Sequence, residues 1–205
     1  MMKRIVLAIT GASGVCYSKR LFDCLKSQAE IHVVISDRGA ELLNLELGLT
    51  ASYFSGKQVT LHKTSRMNSS IASGSFCVDA MVVVPASMGT LGRISAGISG
   101  TLIERVADVM LKEKRQLILV PRESPFSTIH LKNLLALDQA GAMILPASPG
   151  FYQGQNTFES LVDFGGCQNL RILKPCGNRN GLQRSWAVAE IISDSIVSFA
   201  RFLSI

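Results

Sequence analysis

Short apolar runs alternate along the chain with segments of helical periodicity. The apolar runs predict strands over residues 4–9, 31–35, 81–84, 117–120 and 143–145. The spacing of apolar residues between them predicts helices over residues 15–27, 41–47, 102–111 and 130–140. Strands that are apolar throughout and alternate with helices are typical of a parallel sheet covered on both faces. We therefore expect a single α/β domain with a doubly wound parallel sheet, Rossmann- or flavodoxin-like.

The residues that follow each strand are the first candidates for a site, because ligands of such sheets bind at the carboxyl ends of the strands. The first strand is followed by Thr10-Gly11-Ala12-Ser13-Gly14. Its glycines allow a tight turn, and the next helix presents N–H groups and a positive dipole end to an anion. The same residues also suit a plain strand–helix turn with Ser13 as the cap. Asp37, about 20 residues past the glycines, has the position of a ribose-binding acid in a Rossmann dehydrogenase.

Three later loops add hydroxyl, charged and aromatic side chains to the same edge. Pro85 ends the third predicted strand, and Ser87 and Thr90 supply hydroxyls where a helix begins. Arg122-Glu123 stands between two prolines after the fourth strand. Arg offers a planar fork to a phosphate or carbonyl and Glu a proton acceptor, although a surface ion pair is the other interpretation. With the two aromatics of loop 146–152, these residues predict a pocket for a phosphorylated, partly flat ligand.

Charge and composition exclude several classes of protein. The 205 residues carry a net charge of +6 and are 47% hydrophobic. Residues 1–163 contain 16 basic and 13 acidic groups, whereas residues 164–205 contain 5 and 2, so half of the excess lies in the last fifth of the chain. The first part is therefore only weakly basic, and no Lys/Arg run is interleaved with aromatics. Both observations argue against a nucleic-acid-binding protein.

Membrane, disulfide and metal chemistry find no support in the sequence. No apolar run reaches the ~18 residues of a membrane span, and the N-terminus begins with a strand pattern rather than a signal peptide. The cysteines are odd in number and form no CxxC pair, which favours free thiols in a reducing cytoplasm. The histidines do not cluster with carboxylates or cysteines, so no metal site is expected. These residues are Cys16, Cys24, Cys77, Cys167 and Cys176, and His32, His62 and His130.

Seven parts of the sequence, taken together, identify a family. They are TGASG (10–14), the pair Ser36 and Glu46, ASGS (72–75), PASMGTL (85–91), LIERVADVMLKE (102–113), LVPRESPFSTIHL (119–131) and PASPGFY (146–152). The chain resembles the UbiX/Pad-type flavin prenyltransferases, within the flavin-containing decarboxylase-like superfamily. The resemblance spans residues 4–163, and its LIER…LKE and PRE…IHL runs are specific to this branch.

The resemblance implies a metal-independent transferase. It would move the dimethylallyl group of dimethylallyl monophosphate to reduced FMN, joining first N5 and then C6 and so closing a fourth ring. The product, prenylated FMN, is the cofactor of UbiD-type decarboxylases, often in ubiquinone biosynthesis. Family members form dodecamers with sites at subunit junctions, so a cytoplasmic homo-oligomer is expected.

The position of each motif implies which side chains act. FMN would be held by Gly11, Ala12, Ser13, Ser36, Ser73, Ser87, Met88, Gly89, Thr90 and Arg122. The substrate phosphate would be held by Arg105, Lys112 and Tyr152, with Gln168 at a position that is usually basic. Catalysis would use Glu46, Lys112 and Glu123, the two glutamates for charge balance and proton transfer.

The spacing of two of these residues agrees with a shared role. Arg105 and Lys112 are seven residues apart on one predicted helix, so both fall on the same face. The other interpretation is a solvated charged face that also contains Glu104, Asp108 and Glu113.

Two rival functions follow from the same residues. One is a flavin-dependent cysteine decarboxylase of the same superfamily, but those enzymes rely on a PASANT-type loop and a Met-rich substrate clamp, where this chain has PASMGT and no PxMNxxMW run. The other is a non-catalytic FMN-binding protein, which the altered C-terminal part suggests.

The family pattern breaks after Asp163-Phe164, which divides the chain into a flavin-binding domain, residues 1–163, and a divergent tail, residues 164–205. The family continues with a helix, Val-Val-Ala-Lys/Arg-Ile-Leu, whose basic residue meets the substrate phosphate. This chain reads Gly165-Gly166-Cys167-Gln168-Asn169-Leu170-Arg171-Ile172 instead. Because a charge-assisted hydrogen bond contributes roughly 1.5–3 kcal/mol, glutamine there would weaken phosphate binding about tenfold to a hundredfold.

A shifted reading frame from about residue 165 would explain the break. The codons GGT GGT TGC CAA AAT CTT AGA ATC CTT encode the observed residues, and read one base later they encode Val-Val-Ala-Lys-Ile-Leu-Glu-Ser. We therefore predict that re-reading the gene's nucleotides will show this overlap. A gene that is in frame and lacks the overlap would contradict the hypothesis and leave a naturally divergent tail.

Overall fold

The computed structural model describes residues 2–148 and residue 162. In that part of the chain it contains six strands and five α-helices. The strands are β1 (Lys3–Ile9), β2 (Ala29–Ile35), β3 (Val59–His62), β4 (Ala80–Ala86), β5 (Gln116–Pro121) and β6 (Met143–Ile144). The helices are α1 (Val15–Leu25), α2 (Asp37–Leu47), α3 (Met88–Ser95), α4 (Leu102–Lys112) and α5 (Thr128–Gln139).

The strands form one parallel sheet in the order β3-β2-β1-β4-β5-β6. The predicted doubly wound α/β fold is therefore confirmed. The chain moves outward from β1 to β3 on one side and from β4 to β6 on the other, so the order reverses between β1 and β4. A crevice opens at the carboxyl ends of the strands at such a switch point, and ligands bind there.

Both faces of the sheet are covered by apolar side chains. Successive residues of a strand point to opposite faces, so in β1 Ile5, Leu7 and Ile9 belong to one core cluster and Val6 and Ala8 to the other. Helices α1 and α2 cover the first face, and α3, α4 and α5 cover the second. This division places α4 and its charged residues on the opposite face of the sheet from α1.

Several element boundaries differ from the sequence prediction. The edge strand β3 was not predicted, because it has only four residues and alternates only weakly. Strand β4 continues through Pro85 to Ala86 rather than ending at the proline. Helices α2 and α5 begin earlier than predicted, since Ser36 and Ser127 cap them by accepting hydrogen bonds from backbone N–H groups.

None of the helices in the described residues is long and apolar enough to cross a membrane. Most of the loop that follows β6 and almost all of the C-terminal part lie outside those residues. The expectations for Tyr152, for Gln168 and for the tail from residue 164 therefore stay predictions.

Two buried histidines join the edge of the sheet. His32 Nδ1 on β2 lies 2.9 Å from His62 Nε2 on β3, and His62 Nδ1 lies 2.9 Å from Ser69 Oγ. His32 Nε2 also lies 3.1 Å from Glu30 Oε1, so the expectation that no histidine meets a carboxylate is wrong for His32. Burial, together with the nearby His32 and Arg66, lowers the pKa of His62 to about 4. In the described part of the chain no three His, Cys, Asp or Glu side chains are arranged to hold a metal ion.

We expect this pair to make stability depend on pH. The ordinary pKa of histidine is 6.5 and folded His62 titrates near 4, so between these values the unfolded chain binds a proton that the folded chain does not. Stability then falls as the pH falls through that window, by on the order of 3 kcal/mol. The free energy of unfolding can be measured with urea at about pH 7 and about pH 4.5. In His62→Gln, most of the difference between the two values should disappear. His130→Gln is the control, and an unchanged pH dependence in His62→Gln would contradict the prediction.

Candidate active site

The loops after β1 and β4 are joined by the hydroxyl of Thr10, which is 1% exposed. Thr10 Oγ1 donates to the Pro85 carbonyl at 2.8 Å and accepts from the Ser87 N–H at 2.8 Å. These two hydrogen bonds hold the two walls of the crevice at a fixed separation. Thr10 belongs to the glycine motif, but its residue type predicts no such role. The only sequence signal was its place directly after the strand.

Glu46 fills the N-terminus of α1. Its carboxylate accepts from the Gly14 N–H, with the shorter contact at 3.0 Å to Oε2, and from the Val15 N–H at 3.1 Å. Gly14 is the N-cap residue of α1 and has a φ of 100°, a conformation that favours glycine. Because glycine has no side chain, it cannot cap the helix itself. The interpretation of Ser13 as the cap is therefore wrong, since a residue of α2 caps this helix. A carboxylate already satisfies the N–H groups that were predicted to meet an anion.

The loop after β2 packs tightly against the glycine turn. The Ser36 N–H donates to the Ile9 carbonyl at 2.9 Å, and Ser36 Oγ accepts from the Gly39 N–H at 3.0 Å. A Cβ atom added to Gly11 would lie 2.5 Å from Arg38 Cβ. Gly11 is therefore required for close approach, and Ser36 keeps its hydroxyl proton for another acceptor.

Ser87 and Thr90 begin α3 at the other wall of the crevice. Ser87 Oγ accepts from the Thr90 N–H at 3.4 Å and lies 3.0 Å from Thr90 Oγ1. Gly89 is exposed, whereas the Met88 side chain is buried in the core. Only the backbone of Met88 can therefore face a ligand in this structure.

Arg122 and Glu123 follow β5 at the same edge, and both are exposed. The Arg122 side chain lies over the start of α1, with its Cγ 3.9 Å from a Cβ built on Gly14. Glu123 Oε1 accepts from the N–H of Ser124, the next residue. Among the described residues the two charged side chains form no ion pair with each other, so the surface-pair interpretation is wrong.

The structure places the remaining candidates away from this crevice. Arg105 donates from Nε to the Ala72 carbonyl at 3.2 Å and from Nη1 to Asp108 Oδ2 at 3.0 Å. Lys112 Nζ lies 3.7 Å from Glu113 Oε1. The side chains of Arg105, Asp108 and Lys112 share the exposed side of α4, as the spacing predicted, but Glu104 is buried and does not belong to a solvated face.

Lys112 and Arg122 are separated by the whole of β5. Lys112 ends the helix that leads into the amino end of this strand, whereas Arg122 directly follows its carboxyl end. A strand of six residues spans about 17 Å. Ser73 also lies with the α4 group, in the loop that Arg115 holds by donating to the Gly74 carbonyl at 2.6 Å. One protomer therefore presents two separate groups of predicted site residues.

Comparison with known proteins places the chain in a family. Residues 1–165 match the model of the family described as Flavoprotein. The flavin prenyltransferase UbiX of Pseudomonas aeruginosa is 41% identical over 94% of this chain and 98% of its own. A crystal structure of AnUbiX (PadA1) in complex with FMN and dimethylallyl pyrophosphate has 37% identity and a TM-score of 0.83, covering 89% of this chain and 100% of that one.

A second solved structure is the dodecameric FMN-dependent UbiX-like decarboxylase of Escherichia coli O157:H7. It has 35% identity and a TM-score of 0.81, and the match covers 87% of this chain and all of that one. The family model matches about four-fifths of this chain, and its relatives are about 40% identical to it. The chain therefore belongs to the flavoprotein family, in its flavin prenyltransferase branch.

Proposed function

We propose that this protein is a flavin prenyltransferase that joins the dimethylallyl group of dimethylallyl monophosphate to reduced FMN. Its main support is the convergence of the loops after β1, β2, β4 and β5 at one crevice, with hydroxyl groups, open N–H groups and a cation on its walls. Reduced FMN, when bound, supplies N5 and C6 as the two atoms that form bonds to the prenyl carbons. The first bond replaces the C–O bond to the phosphate, which leaves while N5 gives up its proton; the second forms as the prenyl double bond takes up a proton and C6 loses one.

The flavin phosphate is assigned to the start of α3. A helix N-terminus with hydroxyl donors suits a phosphate, and α1 is unsuitable because the Glu46 carboxylate already occupies its first N–H groups. The Ser87 hydroxyl and the Gly89 N–H supply the donors at α3, whereas the Thr90 N–H and hydroxyl contact Ser87 Oγ. Arg122 lies across the crevice with its fork exposed. Arginine is suited to bind the phosphate or a carbonyl of the flavin ring in a bidentate manner.

Glu46 and Glu123 are assigned to proton transfer. Glu46 is exposed and is fixed by two backbone N–H groups at the start of α1, so it can receive a proton without moving. Glu123 is also exposed and adjoins Arg122, after β5. A general base has to lie within hydrogen-bond reach of the proton that it removes, and the two glutamates offer carboxyl groups on different loops of the same edge of the sheet.

Arg105 and Lys112 are assigned to the substrate phosphate of a neighbouring copy's site. They lie about the length of β5 away from Arg122, so the two groups serve one phosphate only if two protomers meet. Helix α5 agrees with such an assembly, since Ile129, Leu131 and Leu135 are 69%, 54% and 58% exposed. Clustered exposed apolar side chains are typical of a protein interface. We assign this chain to a homo-oligomer, a dodecamer by likeness, whose product serves UbiD-type decarboxylases such as those of ubiquinone biosynthesis.

Prenyl transfer tests the proposed function directly. Purified protein with FMN, dithionite and dimethylallyl monophosphate should yield a flavin heavier by one dimethylallyl unit, detected by mass spectrometry. Arg122→Met should lower kcat/KM about tenfold to a hundredfold, because a charge-assisted hydrogen bond is lost. Lys26→Met, which removes an equal charge from the far end of α1, is the control.

Two results would contradict this function. Bound FMN that stays unmodified would favour a non-catalytic flavin-binding protein. Turnover of a cysteinyl peptide or of a pantothenoylcysteine substrate would favour a cysteine decarboxylase.

Mixed oligomers test whether the site is shared. Lys112→Met and Arg122→Met should each lose about tenfold to a hundredfold in activity alone. When the two are co-expressed and assemble at random, about a quarter of the sites receive both native residues from different protomers, so activity should return to about that fraction of the wild-type value. A mixture that stays as inactive as its components would place both residues in one protomer's site.

A further inference from the structure

An ion pair between a buried glutamate and a half-exposed arginine lies directly behind the start of α3. Arg93 Nε, in the last turn of α3, donates to Glu104 Oε1 on α4. The Glu104 side chain is 1% exposed, whereas that of Arg93 is 48% exposed. The second carboxylate oxygen, Glu104 Oε2, accepts from the Thr101 N–H at 2.8 Å. Neither Arg93 nor Glu104 is among the residues assigned to FMN, to the substrate phosphate or to proton transfer.

A chain of hydrogen bonds leads from this ion pair to the crevice. Arg93 Nη2 donates to Thr90 Oγ1 at 3.3 Å. Thr90 Oγ1 lies 3.0 Å from Ser87 Oγ, which also accepts from the Thr90 N–H at 3.4 Å. Thr90 is 5% exposed, and Ser87 is half-buried at the mouth of the helix. The contacts therefore run from the protein interior to the residue that faces the ligand.

The chemistry of the donors sets the direction of this chain. Arginine has five N–H donors and no acceptor, whereas a hydroxyl has one proton and two lone pairs. Thr90 Oγ1 therefore accepts from Arg93 and has its own proton to give, and Ser87 Oγ at 3.0 Å is placed to accept it. Ser87 Oγ then accepts two hydrogen bonds, from the hydroxyl and from the N–H of Thr90. This arrangement leaves the Ser87 proton for an acceptor in the crevice.

We propose that Arg93, held by Glu104, is a positioning residue that aims the Ser87 hydroxyl proton at an oxygen of the flavin phosphate. This inference rests on the proposed function, which assigns that phosphate to α3. The Arg93 charge polarises the two hydroxyls in turn, because hydrogen bonds in a chain strengthen one another. The ion pair holds the guanidinium in place, so the hydroxyls are oriented before the phosphate arrives.

The test is a double-mutant cycle read out as flavin binding. Arg93→Met with Glu104→Gln removes both charges together, so no unpaired carboxylate is left buried. Thr90→Val removes the hydroxyl in the middle of the chain at nearly constant volume. Both changes should raise the Kd of FMN about tenfold, and their combination should raise it no further. In Thr90→Ser, which keeps a hydroxyl, the affinity for FMN should be retained.

Two comparisons separate positioning from a general structural role. Riboflavin lacks the phosphate, so its Kd should stay within about twofold in the Arg93/Glu104 variant. At saturating reduced FMN, kcat should be retained while the KM for FMN rises. The matched control is Asp23→Asn with Lys26→Met, which neutralises an ion pair of 2.8 Å on α1 and should change neither Kd.

Each adverse outcome has its own meaning. Additive losses in the cycle, or an equal loss of riboflavin affinity, would overturn the positioning role while leaving the proposed function intact. Wild-type protein that binds FMN but fails to prenylate it would contradict only the proposed activity, because the cycle still reads out binding. Wild-type protein that binds no FMN would overturn both proposals.

Discussion

The hydroxyl of Thr10 holds together the two loops on which the crevice depends. It lies between β1 and β4, where it donates to the Pro85 carbonyl and accepts from the Ser87 N–H. The backbone adds one longer hydrogen bond here, from the Thr10 N–H to the Pro85 carbonyl at 3.3 Å. It adds little more, since proline has no N–H and the pairing of β4 with β5 is irregular between Val83 and Ala86. Each hydrogen bond contributes about 1 kcal/mol, but a buried group left without a partner costs about 1–3 kcal/mol. Thr10 thereby determines where α3 begins, and with it the position of every donor in the first turn of that helix.

Glu46 makes the N-termini of α1 and α3 different as anion-binding sites. Both α1 and α3 begin at the crevice, and by geometry alone either could bind an anion. The Glu46 carboxylate already accepts from the first N–H groups of α1, so a second anion there would meet a negative charge. At the start of α3, where Ser87 and Thr90 lie, no carboxylate of the described residues caps the helix. Glu46, which lies on α2, therefore favours the start of α3 over that of α1 for the proposed flavin phosphate and places a carboxyl group at the start of α1.

The local pattern of the sequence was sufficient for every strand but β3, for most helices and for the loops at the carboxyl ends of the strands, because apolar periodicity is a property of neighbouring residues. It was insufficient wherever an element depends on residues distant in sequence. Strand β4 continues past Pro85 because Thr10 and β5 hold its end, and Glu46 caps a helix that begins 31 residues earlier. Glu104 has the spacing of a solvated charged face, yet the fold buries it against α3. The separation of Lys112 from Arg122 follows from β5 running between them, which becomes visible only once the direction of the strand is known.

Glu104 gives the proposed assembly a physical link between neighbouring sites. One of its carboxylate oxygens binds Arg93, behind the loop that is assigned to the protomer's own flavin, and the other binds the Thr101 N–H, where α4 begins. Helix α4 carries Arg105 and Lys112, which are assigned to the prenyl phosphate of another copy. A buried carboxylate with both oxygens engaged is costly to disturb, so α3 and α4 are held as one unit. The loop that is assigned to one flavin and the helix that is assigned to the neighbouring prenyl phosphate are therefore fixed relative to each other within one protomer.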